Sequence, residues 1–320
     1  MAIDYIPLEK PLVDLESKID ELRRLASVQV VNLDREIHDL EVKADHLREQ
    51  LFASLTAYEA TQMSRHPRRP NSLEIIAAIT SSFHELHGDR NFLDDPSVVG
   101  GLAVIDGVNC VVIGHQKGRG TKDNIFRNFG MPKPEGYRKA LRLMSMAERF
   151  NLPIVTFIDT PGAYPGVDAE QRGQSEAIAK NIMVMSRLGV PIISVVVGEG
   201  GSGGALALGV ANRVHMMQYA IYSVISPEGC ASILFKDATK AGDAAEALKI
   251  TAKHAKELGV IDSVIEEPKG GSHRDPDAAA QSIKARVLAD IKELKKMSPQ
   301  QLRDHRIDKF MAMGPVLTES

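Results

Sequence analysis

Six of the 25 glycines lie between Gly198 and Gly209, where an apolar stretch meets a predicted helix. Glycine lets the backbone approach a ligand closely, and the first amides of a helix lack intrahelical acceptors. Such N–H groups, with the helix dipole behind them, stabilise a negatively charged oxygen. The cluster therefore predicts an oxyanion hole for an enolate or a similar intermediate. The alternative is that these small residues only allow a helix to pack closely on a strand.

A second loop, Pro161–Gly166, follows the apolar segment Pro153–Asp159. Open α/β sheets bind ligands beyond the carboxyl ends of their strands, so both loops are expected at the same edge of the sheet. There they would offer two backbone donors to one oxygen. The sequence thus predicts a site built from main-chain N–H groups.

The same glycines match nucleotide-binding patterns only in part. The spacing Gly198-x-Gly200-x-x-Gly203 satisfies the dinucleotide fingerprint, which also needs an acidic residue about 20 positions further on. The stretch Met216–Tyr219 stands there and contains no acidic residue, and no Gly-Lys-Ser/Thr follows the glycines. Both nucleotide-binding interpretations are therefore rejected.

Side-chain catalysts with a recognisable spacing are scarce. Ser202 stands in Gly-Gly-Ser-Gly-Gly, but no histidine motif accompanies it, so the sequence favours a structural serine. His84 and His87 could share a helical face, yet no third or fourth ligand is evident. Because Cys110 and Cys230 form no Cys-x-x-Cys pair, we expect no metal site on this chain.

A basic, glycine-bearing loop follows the first strands of the predicted core. It contributes Lys117, Arg119, Lys122 and Arg127. Such a group of cations can bind a phosphate or a carboxylate, and it can equally form a solvated loop. The sequence leaves these two interpretations open.

These loops need a sheet whose strands end at one edge. Apolar strands alternate with amphipathic helices through the middle of the chain, which predicts an α/β fold with a largely parallel sheet covered on both faces. The first two strands, Val99–Ile105 and Cys110–His115, form a predicted hairpin. The other predicted core elements are helices Glu135–Phe150, Glu170–Leu188 and Ala205–Ala211, and strands Pro153–Asp159, Pro191–Val197, Arg213–Met217 and Ala220–Ile225.

Helical segments flank this core at both ends. No glycine occurs from Leu12 to Met63, and apolar residues recur at helical spacing, first as far as Leu25 and then from Leu33 to Tyr58. This predicts two amphipathic helices. They could form a hairpin packed on its own domain, or an arm that grips another subunit. A further helical stripe precedes the carboxyl terminus.

Composition limits the class of protein. The 320 residues are 43% hydrophobic and 25% charged with a net charge of −3, which is typical of a globular protein. No apolar run approaches the roughly 20 residues of a membrane span, and no secretory signal is visible. The near-neutral charge and 5% aromatic content argue against a nucleic-acid site. With two cysteines, a cytoplasmic location is the simplest expectation.

Several motifs, occurring in order, resemble the alpha subunit of bacterial acetyl-coenzyme A carboxylase carboxyltransferase. The resemblance runs from the amino-terminal helices to about Asp290. The motifs that carry it are Gly114–Arg119, Arg127–Pro132, Phe157–Gly166, Arg172–Glu176, Gly198–Gly204 and Tyr222–Ala231.

The resemblance implies a crotonase-like (ClpP/crotonase) spiral of ββα units over 71–270, with helical extensions over 1–70 and 271–320. It also implies a transfer of the carboxyl group from carboxybiotin, on the biotin carboxyl carrier protein, to acetyl-CoA, which gives malonyl-CoA for fatty acid synthesis. The expected partners are a beta subunit, forming an alpha2beta2 heterotetramer, and biotin carboxylase. Zinc is expected on beta, and alpha is expected to serve mainly the biotin side.

By the same resemblance, the amides of Gly203 and Gly204 form an oxyanion hole, joined by an amide near Ala163 or Tyr164. The implied substrate-binding residues are Gly200, Gly201, Lys117 and Arg119.

Two other functions stay open at this stage. The first is a hydratase or isomerase of the same fold, which would need a carboxylate over the substrate, from Glu199, Asp159 or Asp168. The second is a non-catalytic scaffold. The carboxyl transfer itself needs no side-chain base, because the released biotin anion can take the proton. That agrees with a glycine cluster that lacks a triad.

Overall fold

The computed structural model describes residues 5–29 and 33–314, and within them the chain forms eight strands, fourteen α-helices and three short 3-10 helices. The strands are β1 Ser82–Glu85, β2 Val98–Ile105, β3 Val108–His115, β4 Ile154–Thr160, β5 Ile192–Gly201, β6 Arg213–Met217, β7 Ile221–Ser223 and β8 Ser263–Ile265. The helices are α1 Lys10–Gln29, α2 Asp34–Ala53, α3 Ala57–Ser64, α4 Ser72–Ile79, α5 Gly120–Phe126, α6 Pro134–Arg149, α7 Val167–Gln171, α8 Gln174–Arg187, α9 Ser202–Leu206, α10 Pro227–Leu234, α11 Ala241–Leu248, α12 Ala252–Glu257, α13 Pro276–Leu294 and α14 Pro299–Met311.

One sheet organises the core. Its strands follow the order β1-β2-β3-β4-β5-β6-β8, and β7 pairs with the end of β5. The first three strands are antiparallel, and β2 joins β3 through Asp106 and Gly107, both with positive φ (44° and 78°). Positive φ at both turn residues suits the right-handed twist of a hairpin. The strands from β3 onward pair in parallel, so β4 and β5 end at the same edge.

Helices cover both faces of this sheet. The Cβ position of Gly100 lies 2.7 Å from Leu143 of α6, whereas that of Gly114 lies 2.6 Å from the Ser72 hydroxyl of α4. Every residue of β4 is buried, as expected for a parallel strand covered on both sides. The predicted α/β class, with helices at both ends, is confirmed.

The amino-terminal helices form an antiparallel pair. The sequence predicts one helix from Leu33 to Tyr58, but α2 ends at Ala53 and α3 starts afresh at Ala57. The break arises because Thr56 caps α3: its side chain accepts from the amide of Glu59, whose carboxylate binds the Thr56 amide in return. Such a capping box competes with helix continuation.

The base of this hairpin packs on the chain's own core. Phe52 is buried, and its ring centroid lies 6.0 Å from that of Tyr219, which lies in the short connection between β6 and β7. Farther out, the two helices contact mainly each other, and Val28 and Val42 stay exposed. The intrachain contact is thus part of the structure, and the grip on a second subunit stays a prediction.

The structure differs from expectation at two places that bear on the candidate functional residues. β5 runs on through the glycines to Gly201, because Glu199–Gly201 pairs with β7, and α9 is correspondingly short. His84 lies in strand β1 rather than on a helix, so it does not share a helical face with His87. None of the described helices is long and apolar enough to cross a bilayer.

Candidate functional site

The two predicted glycine-bearing loops touch at the end of β4 and β5. A Cβ on Gly204 would lie 2.8 Å from the amide nitrogen of Ala163 and 2.8 Å from the carbonyl carbon of Gly162. A Cβ on Gly201 would lie 2.2 Å from the carbonyl oxygen of Pro161. These neighbours are backbone atoms, which cannot move aside as a flexible side chain could. Glycine is therefore required where the loops cross.

Three main-chain N–H groups remain available there. The amide of Tyr164 donates to the carbonyl of Pro132 at 3.0 Å, so Tyr164 offers no donor to a ligand. The neighbouring Ala163 N–H has no acceptor among the described residues. Gly203 and Gly204 are in the first turn of α9, where amides lack intrahelical partners. The N–H groups of Ala163, Gly203 and Gly204 are therefore without a backbone acceptor among the described residues.

The glycines of the cluster differ in what surrounds them. A Cβ on Gly203 would have only Ile178 side-chain atoms nearby, the nearest 3.8 Å away, so this position is open to a ligand. The Cβ position of Gly200 is filled by the ring of Tyr222 at 2.7 Å. Close packing therefore explains Gly200, as it does Gly201, while Gly203 faces free space. No substrate contact is needed to explain why glycine stands at positions 200 and 201.

Ser202 carries backbone strain but no catalytic partner. Its φ of 50° is unusual for a residue with a side chain, and such strain concentrates at functional sites. The histidines that follow it are engaged elsewhere: His215 contacts Asp290 at 2.6 Å, and His254 contacts Thr251 at 3.1 Å. No base is placed to activate Ser202 among the described residues.

Behind the loops lies an alternating set of charges. The Lys117 ammonium contacts Asp159 at 2.7 Å and Glu199 at 2.8 Å, and Arg65 contacts Glu199 at 2.6 Å. Burial would raise the pKa of Glu199, but Lys117 and Arg65 outweigh it and hold the pKa below its usual value. A hydratase-type acid needs a raised pKa. Glu199 is therefore unsuited to that role.

The other two candidate carboxylates do not replace it. Asp159 accepts the Glu199 amide at 2.9 Å in addition to Lys117, so its oxygens serve the backbone of the glycine loop. Asp168 is exposed and pairs with Arg172 at 3.3 Å. Among the described residues, all three candidate carboxylates at the loops are therefore already engaged in ion pairs, and Asp159 also accepts a backbone amide.

Of the four basic residues, Lys117 and Arg119 line a cleft of about 790 Å³ with Arg65 and Arg68. Arg119 is held by the carboxylate of Glu74 and by backbone carbonyls, one of them that of Arg69 at 2.7 Å. Because Lys117 and Arg119 already have partners, they shape the cleft and its charge rather than offer free ion-pairing groups. Lys122 and Arg127 are not among the cleft-lining residues.

One buried group could hold a metal by composition. Glu9 contacts His66 Nε2 at 2.9 Å and His273 Nε2 at 2.8 Å, and the two rings stack with centroids 3.8 Å apart. However, His66 Nδ1 accepts the amide of Arg68 at 3.1 Å, which places the ring proton on Nε2. A protonated nitrogen donates to Glu9 and cannot bind a metal. The group is therefore a hydrogen-bonded clasp of Glu9, His66 and His273.

Replacing Glu9 with alanine is expected to lower the free energy of unfolding by about 1–3 kcal/mol for each of the two histidine donors left unpaired. Burial would raise the pKa of Glu9, but hydrogen bonds from His273 and His66 outweigh it and hold the pKa below its usual range. The clasp therefore stabilises the fold above the ordinary carboxyl pKa and loses this effect in acid. Urea unfolding at pH 7 measures the loss, and the exposed residue Glu21 provides the control variant Glu21→Ala. If the two variants were equally stable, the clasp would not contribute to stability.

Known proteins place the chain among carboxyltransferases. The family model for "Acetyl co-enzyme A carboxylase carboxyltransferase-like" proteins matches residues 5–314. The chain is 58% identical to acetyl-coenzyme A carboxylase carboxyl transferase subunit alpha of Pasteurella multocida (strain Pm70), over 98% of this chain and 99% of that protein. It is 55% identical to the subunit alpha of Pseudomonas aeruginosa (strain PAO1), with the same coverage. The chain belongs to this family.

Solved structures support the fold of this carboxyltransferase family member. Transcarboxylase 12S, with methylmalonyl-coenzyme A and methylmalonic acid bound, matches 68% of the chain with a TM-score of 0.54 and 23% identity. The beta subunit of P. aeruginosa geranyl-CoA carboxylase matches 77% with a TM-score of 0.56 and 19% identity. The chain covers only 42% and 46% of those proteins. At such identities the likeness concerns the fold alone, and it confirms the crotonase-like architecture.

Several residues of this carboxyltransferase family member were not predicted as parts of the site. Arg65 reaches Glu199 from 134 positions earlier in the chain, and the clasp joins Glu9 to His273 across 264 positions. His115 lies within a motif of the resemblance, yet its type and position alone did not single it out. No periodicity or spacing signals contacts of this kind.

Proposed function

We propose that the chain is the alpha subunit of a carboxyltransferase that moves a carboxyl group from carboxybiotin to acetyl-CoA and forms malonyl-CoA. The observation that carries the proposal is the crossing of the two loops, which brings the Ala163 N–H beside Gly204. Family membership supplies the reaction class, and the main-chain N–H groups of the site supply a way to stabilise the negative oxygen that forms in the reaction. Carboxybiotin and acetyl-CoA are substrates here, and neither is a resident cofactor.

The chemistry needs a site for negative oxygen. Loss of carbon dioxide from carboxybiotin leaves an anion on the ureido group, and this anion takes a proton from the methyl group of acetyl-CoA. The resulting enolate attacks the carbon dioxide and forms the new carbon–carbon bond. Both the ureido oxygen and the enolate oxygen carry charge during these steps, and preorganised N–H donors stabilise such charge.

The side chains of the site suit this route. The biotin anion is itself the base, so the protein needs no general base, and Glu199 is held ionised by Lys117 and Arg65. We assign the biotin-side oxyanion to the N–H groups of Gly203, Gly204 and Ala163. The enolate would then be stabilised mainly by the partner.

The proposal includes further chains. We propose a beta subunit that completes the site, holds most of coenzyme A and carries the zinc, within an alpha2beta2 heterotetramer. The biotin carboxyl carrier protein would deliver carboxybiotin after biotin carboxylase has charged it. A cytoplasmic location and a role in the first committed step of fatty acid synthesis follow from the same proposal.

Co-purification tests the proposed function. An affinity-tagged chain, co-expressed with its cognate beta subunit, is expected to bring down a zinc-containing partner. Only the mixture should carboxylate acetyl-CoA, because each chain holds part of the site. Malonyl-CoA formation from carboxybiotin measures the activity, and metal analysis measures the zinc.

A hydratase activity would contradict the proposal. The chain alone would then hydrate an enoyl thioester, and Glu199→Gln would abolish that reaction. A mixture that assembles but makes no malonyl-CoA would contradict it equally. The geometry does not predict the hydratase outcome, because Glu199 is already paired with two cations.

A further inference from the structure

His115 ends β3 and is completely buried, yet neither ring nitrogen has a hydrogen-bond partner among the described residues. An unsatisfied buried polar group costs about 1–3 kcal/mol. Native structures keep few such groups, and each calls for a physical reason. The carboxyl-transfer steps above assign no task to this imidazole.

The strand register shows which face of the sheet His115 occupies. His115 pairs with Val98 of β2, and the Cβ position of Gly136 in α6 lies 2.8 Å from a methyl group of Val98. The preceding residue, Gly114, faces Ser72 of α4 on the other side. Side chains alternate between the faces of a strand, so the imidazole lies on the face that α6 covers.

On this side the imidazole lies beside the main-chain carbonyl of Gly204. That carbonyl lacks its helical donor, because the amide of Leu208, four residues on, donates to Ala205 at 3.2 Å instead. No other main-chain N–H of residues 5–29 and 33–314 donates to it. A buried ring without an acceptor and a carbonyl without a donor therefore adjoin each other at the glycine loop.

The imidazole is neutral at physiological pH. Burial lowers the pKa of His115 to about 3, and the Lys117 ammonium acts in the same direction, while the carbonyl of Gly204 opposes them. A neutral imidazole has one N–H donor. It can donate to the carbonyl without placing a second positive charge near Lys117.

We propose that His115 is a positioning residue whose ring N–H donates to the carbonyl of Gly204 and replaces the missing helical donor. The inference rests on the proposed function, because the amide of Gly204 is one of the assigned oxyanion donors. Hydrogen bonds of catalytic sites are often long without ligand and tighten in the substrate complex. The bond thus tightens as the loop binds the oxyanion.

This bond has a catalytic consequence through Gly204. It ties the loop to the end of a central strand, which holds the Gly204 amide at the same oxygen as the Ala163 amide. A misplacement of about 1 Å at such a site can cost about 10²-fold in rate. Loss of the bond should therefore reduce kcat and leave the binding of acetyl-CoA unchanged.

Hydrogen exchange of the chain alone tests the bond without any assay of activity. His115→Phe keeps a ring and removes the donor, whereas His115→Gln keeps an N–H donor. In the phenylalanine variant, exchange in a peptide covering 198–208 should rise about two- to tenfold, the factor of one net hydrogen bond. The glutamine variant should exchange like the wild type. Unchanged exchange in folded His115→Phe would overturn the inference.

The reconstituted complex tests the effect on catalysis. We expect His115→Phe to lower kcat about 10- to 100-fold with an unchanged KM for acetyl-CoA, and His115→Gln to recover most of it. A purely structural histidine would lower the melting temperature and leave kcat of the folded complex intact. That result would overturn the positioning role.

The wild-type ring provides a test that needs no variant. Nitrogen-15 NMR of labelled histidine should show one slowly exchanging ring proton on His115 and no titration above about pH 4, in line with a pKa of about 3. A His115 ring without a slowly exchanging ring proton would overturn the inference. If the wild-type complex makes no malonyl-CoA, the proposed function fails, while NMR and exchange still decide the bond to Gly204.

Discussion

Replacing Gly204 with alanine is expected to lower kcat for malonyl-CoA formation by about 10²–10³-fold, the loss measured when an oxyanion donor is removed. The new methyl group would lie 2.8 Å from backbone atoms of Ala163 and Gly162. Real Cβ atoms do not approach backbone atoms so closely, so the two loops must separate. The amides of Gly204 and Ala163 would then no longer converge on one oxygen.

The matched control is Gly242→Ala in α11, where no heavy atom beyond the neighbouring residues and the backbone of its own helix lies within 4 Å of the added methyl. Removing a helical glycine there should stabilise the chain by roughly 0.5–1 kcal/mol and leave kcat unchanged. Both variants are assayed in the reconstituted complex, with assembly checked by light scattering. If Gly204→Ala assembles and keeps the wild-type kcat, the glycine cluster only packs, and the scaffold alternative is correct.

Replacing Arg69 with methionine is expected to lower the free energy of unfolding by about 3–5 kcal/mol, as for other broken buried ion pairs. Arg69 donates to both carboxylate oxygens of Glu267, at 2.6 and 3.0 Å, and to the carbonyl of Val197 at 2.6 Å. The two side chains of the pair are 4% and 0% exposed. The variant leaves the carboxylate buried without its cation.

The pH dependence of this variant distinguishes an unpaired charge from lost packing. Burial would raise the pKa of Glu267, but Arg69 outweighs it and holds the pKa below its usual value. The pair therefore stabilises the wild type above the ordinary carboxyl pKa and loses this effect in acid. Without Arg69 the burial effect dominates, and protonation relieves the penalty. The difference between variant and wild type should narrow as pH falls from 7 toward 4.

Two further variants serve as controls for Arg69→Met. Arg68 is exposed one position earlier, so Arg68→Met should change stability little. The double variant Arg69→Met/Glu267→Met replaces the pair by apolar side chains and should recover much of the loss. Urea unfolding of each chain gives the comparison. If Arg69→Met were as stable as Arg68→Met, the buried ion pair would contribute nothing to the free energy of unfolding.

Much of the fold was predictable because it depends on local patterns. Apolar strands alternating with helices predicted the α/β core, and the hairpin around Gly107 followed from its turn residues. The ends of individual helices and strands were harder to predict from the sequence. The interruption of the second helix depends on a capping box at Thr56, and the extension of β5 depends on pairing with β7, which comes 20 positions later.

The candidate site was likewise predictable only in part. The sequence predicted the two glycine loops and named Gly203, Gly204 and the second loop. Only the structure shows that the Tyr164 amide donates to the carbonyl of Pro132, which leaves Ala163 as the candidate donor of the second loop. The acceptor lies 32 positions earlier, and no local pattern connects the two residues.

By itself, then, the sequence determined the family, the α/β class and the position of the glycine cluster after a strand, because each depends on residue types at short spacing. The tertiary structure decided which groups are free to act. The Lys117 ammonium contacts the Glu199 carboxylate across 82 positions, and packing buries the His115 ring completely at the end of β3. Burial makes these polar contacts strong and selective, and burial is a property of the packed fold rather than of any segment of the chain.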